Sequence, residues 1–286
     1  SSFVVVCERN SYEKIGVICK NFKDKEKMRR ASRSAATVLD RLCGMVKPGM
    51  NTLELDEAGG ELMATMKIKS ACKGYRSGHR VFPSFTCLSV NDEVVHGIGV
   101  EGRVLKEGDI ISVDVCIRED GFIGDNCRTV PVGKVSPEVA NLLRVTEESL
   151  FRGIEKAVNK NRVGDVSEAV QNHVEKAGFA VITNFVGHGV GRSLHEDPQI
   201  PNFGKRGTGM KFRKGMAICI EPMVNMKSAQ IRMAEDGWTA LAVDGLPSAH
   251  FEHTILVDDE KAEIITIPDG YEKAERFFAE VLPSQH

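Results

Sequence analysis

Residues Leu105–Cys127 read LKEGDIISVDVCIREDGFIGDNC, and this stretch decides the fold. Apolar and β-branched residues fill 110–117, and Asp120-Gly121 is a typical turn between antiparallel strands, so the stretch predicts a β-hairpin. Asp114 lies in the middle of the apolar run, where a lone carboxylate is costly to desolvate. The sequence therefore predicts that Asp114 has a partner.

The turn indicates which residue that partner is. A loop with an even number of residues places Asp125 opposite Cys116 and Cys127 opposite Asp114. Asp114 and Asp125 then share one face as diagonal neighbours, roughly 7–8 Å apart at the backbone, and their side chains can converge on one cation. A three-residue loop would put them on opposite faces, so the register is a testable part of the prediction.

Length and composition exclude several classes of protein. The 286 residues carry a formal net charge of −2 and no long basic block, so we expect no DNA or membrane partner. No apolar run approaches the roughly 20 residues of a membrane span, and the N-terminus lacks the features of a signal peptide. The eight cysteines form no C-x-x-C pair, which favours reduced thiols of a cytoplasmic protein over disulfides or an N-terminal zinc finger.

Two related halves are predicted in the chain. Apolar periodicity and capping residues predict helices, and Cys72–Ser89 is predicted to be a long loop that enters a strand. Gly108 aligns with Gly215 in two similar apolar runs that end in Asp114 and Glu221. This repeat favours two α/β halves that meet at a pseudo-twofold axis, preceded by an N-terminal arm at 1–21 and together forming one domain at 22–286. The predicted helices are Lys23–Val46, Leu53–Met66 with Thr52 as its N-cap, Ser136–Asn159 and Val166–Ala177.

Five residues on or beside apolar strands are candidate metal ligands. Any one of the acids alone fits a structural carboxylate, hydrogen-bonded to arginine or backbone. Four buried acids with one histidine would repel one another unless divalent cations lay among them. This oxygen-rich set favours Mn²⁺, Fe²⁺, Co²⁺ or Mg²⁺ and also accommodates Zn²⁺; two such ions can clamp the oxygens of a hydrolytic reaction. The five are Asp114, Asp125, His188, Glu221 and Glu252.

Two further histidines stand near these residues in the sequence. A lone loop histidine is usually exposed and inert, but beside a metal pair His96 and His195 could hydrogen-bond a substrate carbonyl and amide. His253 follows Glu252 and faces the other side of a strand. No role is predicted for His79, His173, His250, His253 or His286.

The five candidate ligands and the histidines His96 and His195, in their order along the chain, resemble those of type I methionine aminopeptidases of the pita-bread fold. The resemblance implies an α/β fold of two pseudo-symmetric halves, with a curved antiparallel sheet flanked by helices. The short spacing from His188 to Glu221 lacks the insert of type II enzymes, and the N-terminus is similar to bacterial or organellar forms. The matching runs are Asn91–Ile98, Asp109–Asp114, Gly121–Asp125, Gly187–Pro198, Ile220–Met223 and Phe251–Thr254.

The resemblance also implies a role for each ligand. Asp125, His188, Glu221 and Glu252 would bind one metal ion, and Asp114, Asp125 and Glu252 the other. A water molecule shared by the two ions would attack the carbonyl carbon of an N-terminal methionine, and Glu221 would take its proton.

The same resemblance implies the substrate contacts. His195 would stabilise the carbonyl oxygen, and His96 would contact the leaving-group side. The chain departs from the family pattern in the insertion Arg76–Val81 and in Leu194, where an aromatic is expected. The methionine pocket would be formed by Tyr75, Phe82, Cys87, Leu194 and Trp238.

The function implied is removal of initiator methionine from nascent polypeptides by a monomeric enzyme, with the ribosome as a candidate partner. Two alternatives remain open from the sequence. Related peptidases that act beside proline usually carry an additional N-terminal domain, for which this chain has little room. A non-catalytic protein of the same fold would be expected to lose ligands, and all five are present.

Overall fold

The computed structural model describes residues 17–280; the predictions for 1–16 and 281–286 lie outside the described residues. Within this range the helices are α1 Phe22–Met45, α2 Thr52–Met66, α3 Pro137–Lys156 and α4 Val163–Lys176. The strands of the first half are β1 Lys69–Ser70, β2 Arg76–Ser77, β3 Arg80–Val81, β4 Cys87–Val90, β5 Glu93–Val95, β6 Ile110–Glu119 and β7 Phe122–Pro131. The later strands are β8 Ala180–Val181, β9 Gly187–Gly189, β10 Glu196–Ile200, β11 Ala217–Ile220, β12 Met223–Asn225, β13 Ile231–Met233, β14 Ala240–Ala242, β15 Ser248–His250, β16 His253–Leu256 and β17 Glu263–Ile264.

The hairpin β6–β7 has the predicted register. Asp125 lies opposite Cys116 and Asp114 lies opposite Cys127. The turn residues Asp120-Gly121 both have positive φ, at 48° and 79°, as a two-residue turn that follows the right-handed twist of its strands requires. The prediction of an even loop is confirmed, and the two aspartates share one face.

The helices follow the predictions closely, with one wrong cap. Asn51, not Thr52, caps α2, because the Asn51 side chain accepts a hydrogen bond from the Glu54 backbone N–H at 2.9 Å. The Thr52 hydroxyl instead donates to the carbonyl oxygen of Val100 at 3.1 Å. The predicted loop 72–89 contains the short hairpin β2–β3 and the strand β4.

The predicted repeat is visible in the backbone. Gly108 and Gly215 each have φ of 93° and precede β6 and β11. Each also donates its N–H to the carbonyl oxygen of the residue that follows a strand of its own half. Gly108 donates to Val132, after β7, at 2.9 Å, and Gly215 donates to Val257, after β16, at 3.0 Å. All strand pairings between the named strands of 17–280 are antiparallel.

A backbone bridge joins the two halves beside the carboxylates, in addition to the pairing of β5 with β14. Cys127 donates its N–H to the carbonyl oxygen of Glu252 at 3.2 Å, and the Glu252 N–H donates to the Cys127 carbonyl oxygen at 2.9 Å. β7 belongs to the sheet of the first half, and Glu252 precedes β16 of the second. Helix α1 packs on β6 and β7, whereas α3 packs on β11, β12 and β15. The carboxylates on these strands therefore face one seam with helices behind both sheets.

The division into an arm and one domain stays a prediction. Residues 17–21 contact the second half, where Lys20 is buried and its Nζ lies 3.1 Å from a carboxylate oxygen of Glu196. Among residues 17–280, we find no helix with the length and apolar character needed to cross a membrane.

Candidate metal centre

The imidazole of His188 lies at the centre of the carboxylate cluster. Its Nε2 atom is 3.3 Å from Glu221 Oε1, 3.4 Å from Asp125 Oδ2 and 3.9 Å from Glu252 Oε2. All four side chains are at most 2 % exposed. The structure thus brings together four of the five predicted ligands around one nitrogen.

Local backbone structure orients this ring. His188 is the central residue of β9, between β10 and β11, and the flanking Gly187 and Gly189 allow close approach because a Cβ atom at either would collide with a neighbouring carbonyl. The Nδ1 atom lies 2.8 Å from the Gly189 carbonyl oxygen. Since that oxygen only accepts, Nδ1 carries the proton and Nε2 faces the carboxylates, as in a metal-ligating histidine.

The buried charges shift the pKa values in this cluster. Burial lowers the pKa of His188, but the carboxylates of Asp125 and Glu221 outweigh it and raise the pKa to about 9. Burial raises the pKa of Glu252 well above its usual value, and the charges of Asp125 and Glu221 raise it further. Burial likewise raises the pKa of Asp114. Such a cluster favours the binding of positive charge.

Two buried atoms in the cluster test whether a cation fits. His188 Nε2 and Glu221 Oε1 are buried 3.3 Å apart, yet neither makes a hydrogen bond of acceptable geometry within the described part of the chain. Donor atoms of Asp125, His188, Cys219 and Glu252 lie within 4.8 Å of one another. One imidazole, several carboxylates and two orphaned buried atoms fit a divalent transition-metal ion.

Asp114 lies to one side of this set. A carboxylate oxygen of Asp114 lies within 4.8 Å of donor atoms of Cys127 and His250. Among residues 17–280, no group of donor atoms this close together combines Asp114 with Asp125 and Glu252. The assignment of Asp114, Asp125 and Glu252 to a second ion therefore stays a prediction.

His250 is a residue of the site that the sequence reasoning missed. Its Nε2 lies 3.1 Å from Glu221 Oε2, and the side chain is buried. When the repeat is continued along the second strand of each half, His250 corresponds to Asp125. The structure bears this out: the Thr129 hydroxyl donates to the His250 carbonyl oxygen at 2.9 Å, as the Thr254 hydroxyl donates to that of Asp125 at 2.7 Å.

The contact between His250 and Glu221 leads to a prediction. His250→Ala should lower the affinity for Mn²⁺ or Co²⁺ by about 10- to 100-fold, because loss of a hydrogen-bond partner frees a ligating carboxylate to reorient. Titration calorimetry with each ion measures this affinity. His173→Ala is the matched control, since His173 Nε2 lies 3.0 Å from Glu148 in a pair outside the centre. Unchanged affinity in the His250 variant would contradict the prediction.

Of the two predicted substrate histidines, His195 contacts the cluster and His96 is buried against an aromatic ring. The ring of His195 packs edge-on against His188, with centroids 4.6 Å apart. His96 is buried, has φ of 61° and packs edge-on against Phe185 at 5.4 Å. A non-glycine residue at positive φ is uncommon and is held there by its surroundings.

The predicted pocket residues belong to one apolar cluster or pack against it. Four of them belong to one apolar cluster, with Tyr75 packed against it. The Trp238 ring lies edge-on to Phe82 at 5.3 Å and to Tyr75 at 6.5 Å, and Tyr75 is 6.2 Å from the ring of His195. The aromatic side chains therefore connect the pocket to a candidate catalytic histidine. The clustered residues are Phe82, Cys87, Leu194 and Trp238.

Comparison with known proteins agrees with this geometry. The family model described as metallopeptidase family M24 matches residues 26–259. The chain belongs to this family. It is therefore a metal-dependent hydrolase of peptide bonds, and its buried clusters of donor atoms agree with the use of divalent metal.

Several members of family M24 are similar over most of the chain. The methionine aminopeptidase of Clostridium perfringens is 43 % identical over 251 residues, which cover 88 % of this chain and 99 % of the relative. Methionine aminopeptidase A of a Synechocystis species is 45 % identical over 242 residues, 85 % of this chain and 94 % of the relative. The crystal structure of methionine aminopeptidase from Thermotoga maritima superposes with a TM-score of 0.85 at 44 % identity, covering 88 % and 99 %. This superposition confirms the predicted pita-bread fold.

Proposed function

We propose that this protein is a methionine aminopeptidase that removes the N-terminal methionine from polypeptides. The observation that carries the proposal is the convergence of Asp125, Glu221 and Glu252 on His188 Nε2, beside an aromatic pocket. Relatives more than 40 % identical over most of their length are methionine aminopeptidases, which supports the same substrate here.

Each residue near the cluster has a proposed role. Bound divalent ions would supply the Lewis acidity that activates water and polarises the scissile carbonyl. Glu221 accepts the proton of the attacking water and delivers it to the leaving amine, while His250 holds its other oxygen. His195 donates a hydrogen bond to the carbonyl oxygen as negative charge develops on it, and His96 contacts the leaving-group side.

The pocket accounts for the choice of the first residue. A methionine side chain is long, unbranched and polarizable, and its sulfur packs favourably against aromatic rings. Tyr75, Phe82 and Trp238 provide such rings at one end of the cluster, with the Cys87 thiol and Leu194 completing an apolar lining. The carboxylates that surround His188 favour a positively charged free amino group, which accounts for cleavage at the chain end.

We further propose the finer details of the activity. Two ions bind, the second at Asp114, Asp125 and Glu252. The enzyme acts as a monomer on nascent polypeptides in the cytoplasm or an organelle, with the ribosome as a candidate partner. Seven cysteines of the described residues are free thiols, which supports a reducing compartment. Metal analysis of the active protein tests the number of ions, and sedimentation velocity tests the monomer.

The central experiment is a peptide panel. The metal-loaded protein is incubated with Met-X-peptides that differ in the second residue, and with matched Leu-X- and X-Pro-peptides. We expect release of free methionine, fastest when X is glycine or alanine, and negligible cleavage of the other two series. Cleavage beside proline would instead support the related proline-directed peptidases. Binding of the peptides without cleavage of any series would support the non-catalytic alternative.

A further inference from the structure

The inserted hairpin β2–β3 is flanked in the sequence by Tyr75 and Phe82 of the proposed pocket. Its base is a pair of backbone hydrogen bonds, from the Phe82 N–H to the Tyr75 carbonyl oxygen at 2.8 Å and from the Gly74 N–H to that of Phe82 at 2.9 Å. The residues of the hairpin itself, 76–81, are exposed. Two rings of the pocket are therefore fixed at the base of an exposed hairpin.

Arg80 connects this hairpin to the opposite half of the chain. Its Nη1 donates a hydrogen bond to the carbonyl oxygen of Asp236 at 2.8 Å. The guanidinium lies directly over Gly237, where a Cβ atom would collide with Nη1, and Gly237 has φ of +75°. The backbone conformation favours glycine at this position, and an added methyl group would displace the guanidinium of Arg80.

The turn that Arg80 contacts carries Trp238. The Asp236 carboxylate accepts hydrogen bonds from the N–H groups of Trp238 and Thr239, each at 2.8 Å, and from the Thr239 hydroxyl at 2.6 Å. The same hydroxyl is 3.3 Å from the carbonyl oxygen of His96. One short turn therefore positions an aromatic wall of the pocket and contacts the backbone of a candidate substrate histidine.

We propose that Arg80 is a positioning residue that ties the inserted hairpin to the 234–239 turn and so fixes the spacing between Trp238 and the Tyr75–Phe82 wall. This inference deepens the proposed function and rests on it. Arg80 is too exposed to act as part of the apolar lining, but its charge-assisted hydrogen bond reaches across 156 positions of sequence. The spacing it sets determines how tightly an unbranched apolar side chain is held.

The test compares Arg80→Met with Arg76→Met. Arg76 lies in the same hairpin and is exposed. Its backbone pairs with Val81, but its side chain makes no hydrogen bond to the described residues, so its replacement removes the same charge without the contact. For a Met-Gly-peptide we expect Arg80→Met to raise KM by about 3- to 10-fold, the net contribution of one solvent-exposed hydrogen bond, with kcat within about twofold. Arg76→Met should match wild type.

A second measurement does not depend on activity. Trp238 is the only tryptophan of the chain, so intrinsic fluorescence reports on this one side chain. Arg80→Met should shift its emission to longer wavelength and increase its quenching by acrylamide, while Arg76→Met leaves both unchanged. Gly237→Ala should reproduce the Arg80→Met spectrum, because the added methyl group displaces the guanidinium.

The outcomes separate this inference from the proposed function. If wild type releases no methionine, the proposed function fails, and the fluorescence comparison alone decides whether Arg80 positions Trp238. Unchanged fluorescence in Arg80→Met overturns the inference, as does a KM effect shared equally by Arg76→Met. A fall in kcat at constant KM would also overturn it, because a residue that positions the pocket for substrate binding should change KM and leave kcat nearly unchanged.

Discussion

Glu221→Gln should lower kcat for a Met-Gly-peptide by about 10²- to 10⁴-fold, the range for loss of a general base. Glutamine keeps the shape of the side chain and an oxygen donor, but its amide cannot accept a proton at neutral pH. Glu221 is fully buried, with one oxygen 3.3 Å from His188 Nε2 and the other 3.1 Å from His250. Steady-state kinetics at saturating metal, with the bound metal measured in parallel, gives the effect on kcat.

The matched control for this variant is Glu147→Gln. Glu147 is also a buried glutamate, but it accepts hydrogen bonds from three backbone N–H groups of the C-terminal segment, at 2.7–2.9 Å. It should keep kcat within about twofold, since surface or structural changes away from a site act mainly on stability. A Glu221→Gln enzyme with more than a tenth of wild-type kcat and full metal content would remove Glu221 from the role of base.

Added Mn²⁺ or Co²⁺ should stabilise the protein against unfolding, and Glu252→Gln should lose most of this effect. At 100 times the dissociation constant, an ion that binds only the folded state adds about 2.7 kcal/mol. For a chain of this size, that corresponds to an increase in Tm of roughly 4–5 °C. Calorimetry with and without a chelator measures the shift.

Without metal, the Glu252→Gln variant should be more stable against unfolding than wild type. The pKa of Glu252 is raised by burial and by the charges of Asp125 and Glu221. At pH values above the pKa of an unfolded glutamate, this group therefore lowers the free energy of unfolding. A neutral glutamine removes that cost, and metal-free Glu252→Gln should therefore have a higher Tm than metal-free wild type. Equal metal-induced shifts in both proteins would contradict the assignment of Glu252 as a ligand.

The hairpin register was predictable from the turn. Asp120-Gly121 favours a two-residue turn with two positive φ values, and this loop length sets the pairing of β6 with β7. Once that register is set, the shared face of Asp114 and Asp125 follows from the period of two in a strand. The repeat from Gly108 to Gly215 then extends the argument to Glu221.

His250 was missed because only the first strand of the repeat was compared. When Val132 is aligned with Val257, the second strands of the two halves align Asp125 with His250 and Cys127 with Glu252. The carboxylates on these strands therefore do not occupy equivalent positions in the two halves. The matching threonines, Thr129 and Thr254, are the signal that could have shown this.

The contact of Arg80 with the turn at 236 lies beyond any sequence pattern. Its acceptor is a backbone carbonyl, which every residue carries, so the partner leaves no trace in residue identity. The hairpin 76–81 has no apolar alternation because both of its faces are exposed. Only the insertion itself was visible in the sequence, as a departure from the family pattern.

The candidate ligands come from both sides of the backbone bridge between Cys127 and Glu252. Metal affinity therefore depends on how well the two sheets are aligned. Asp125 comes from one side of this seam, and His188, Glu221 and Glu252 come from the other. Bonds between a transition metal and its donors tolerate only about 0.2 Å of error. A core substitution far from the ions that tilts one sheet slightly against the other will therefore weaken ion binding before it unfolds either half.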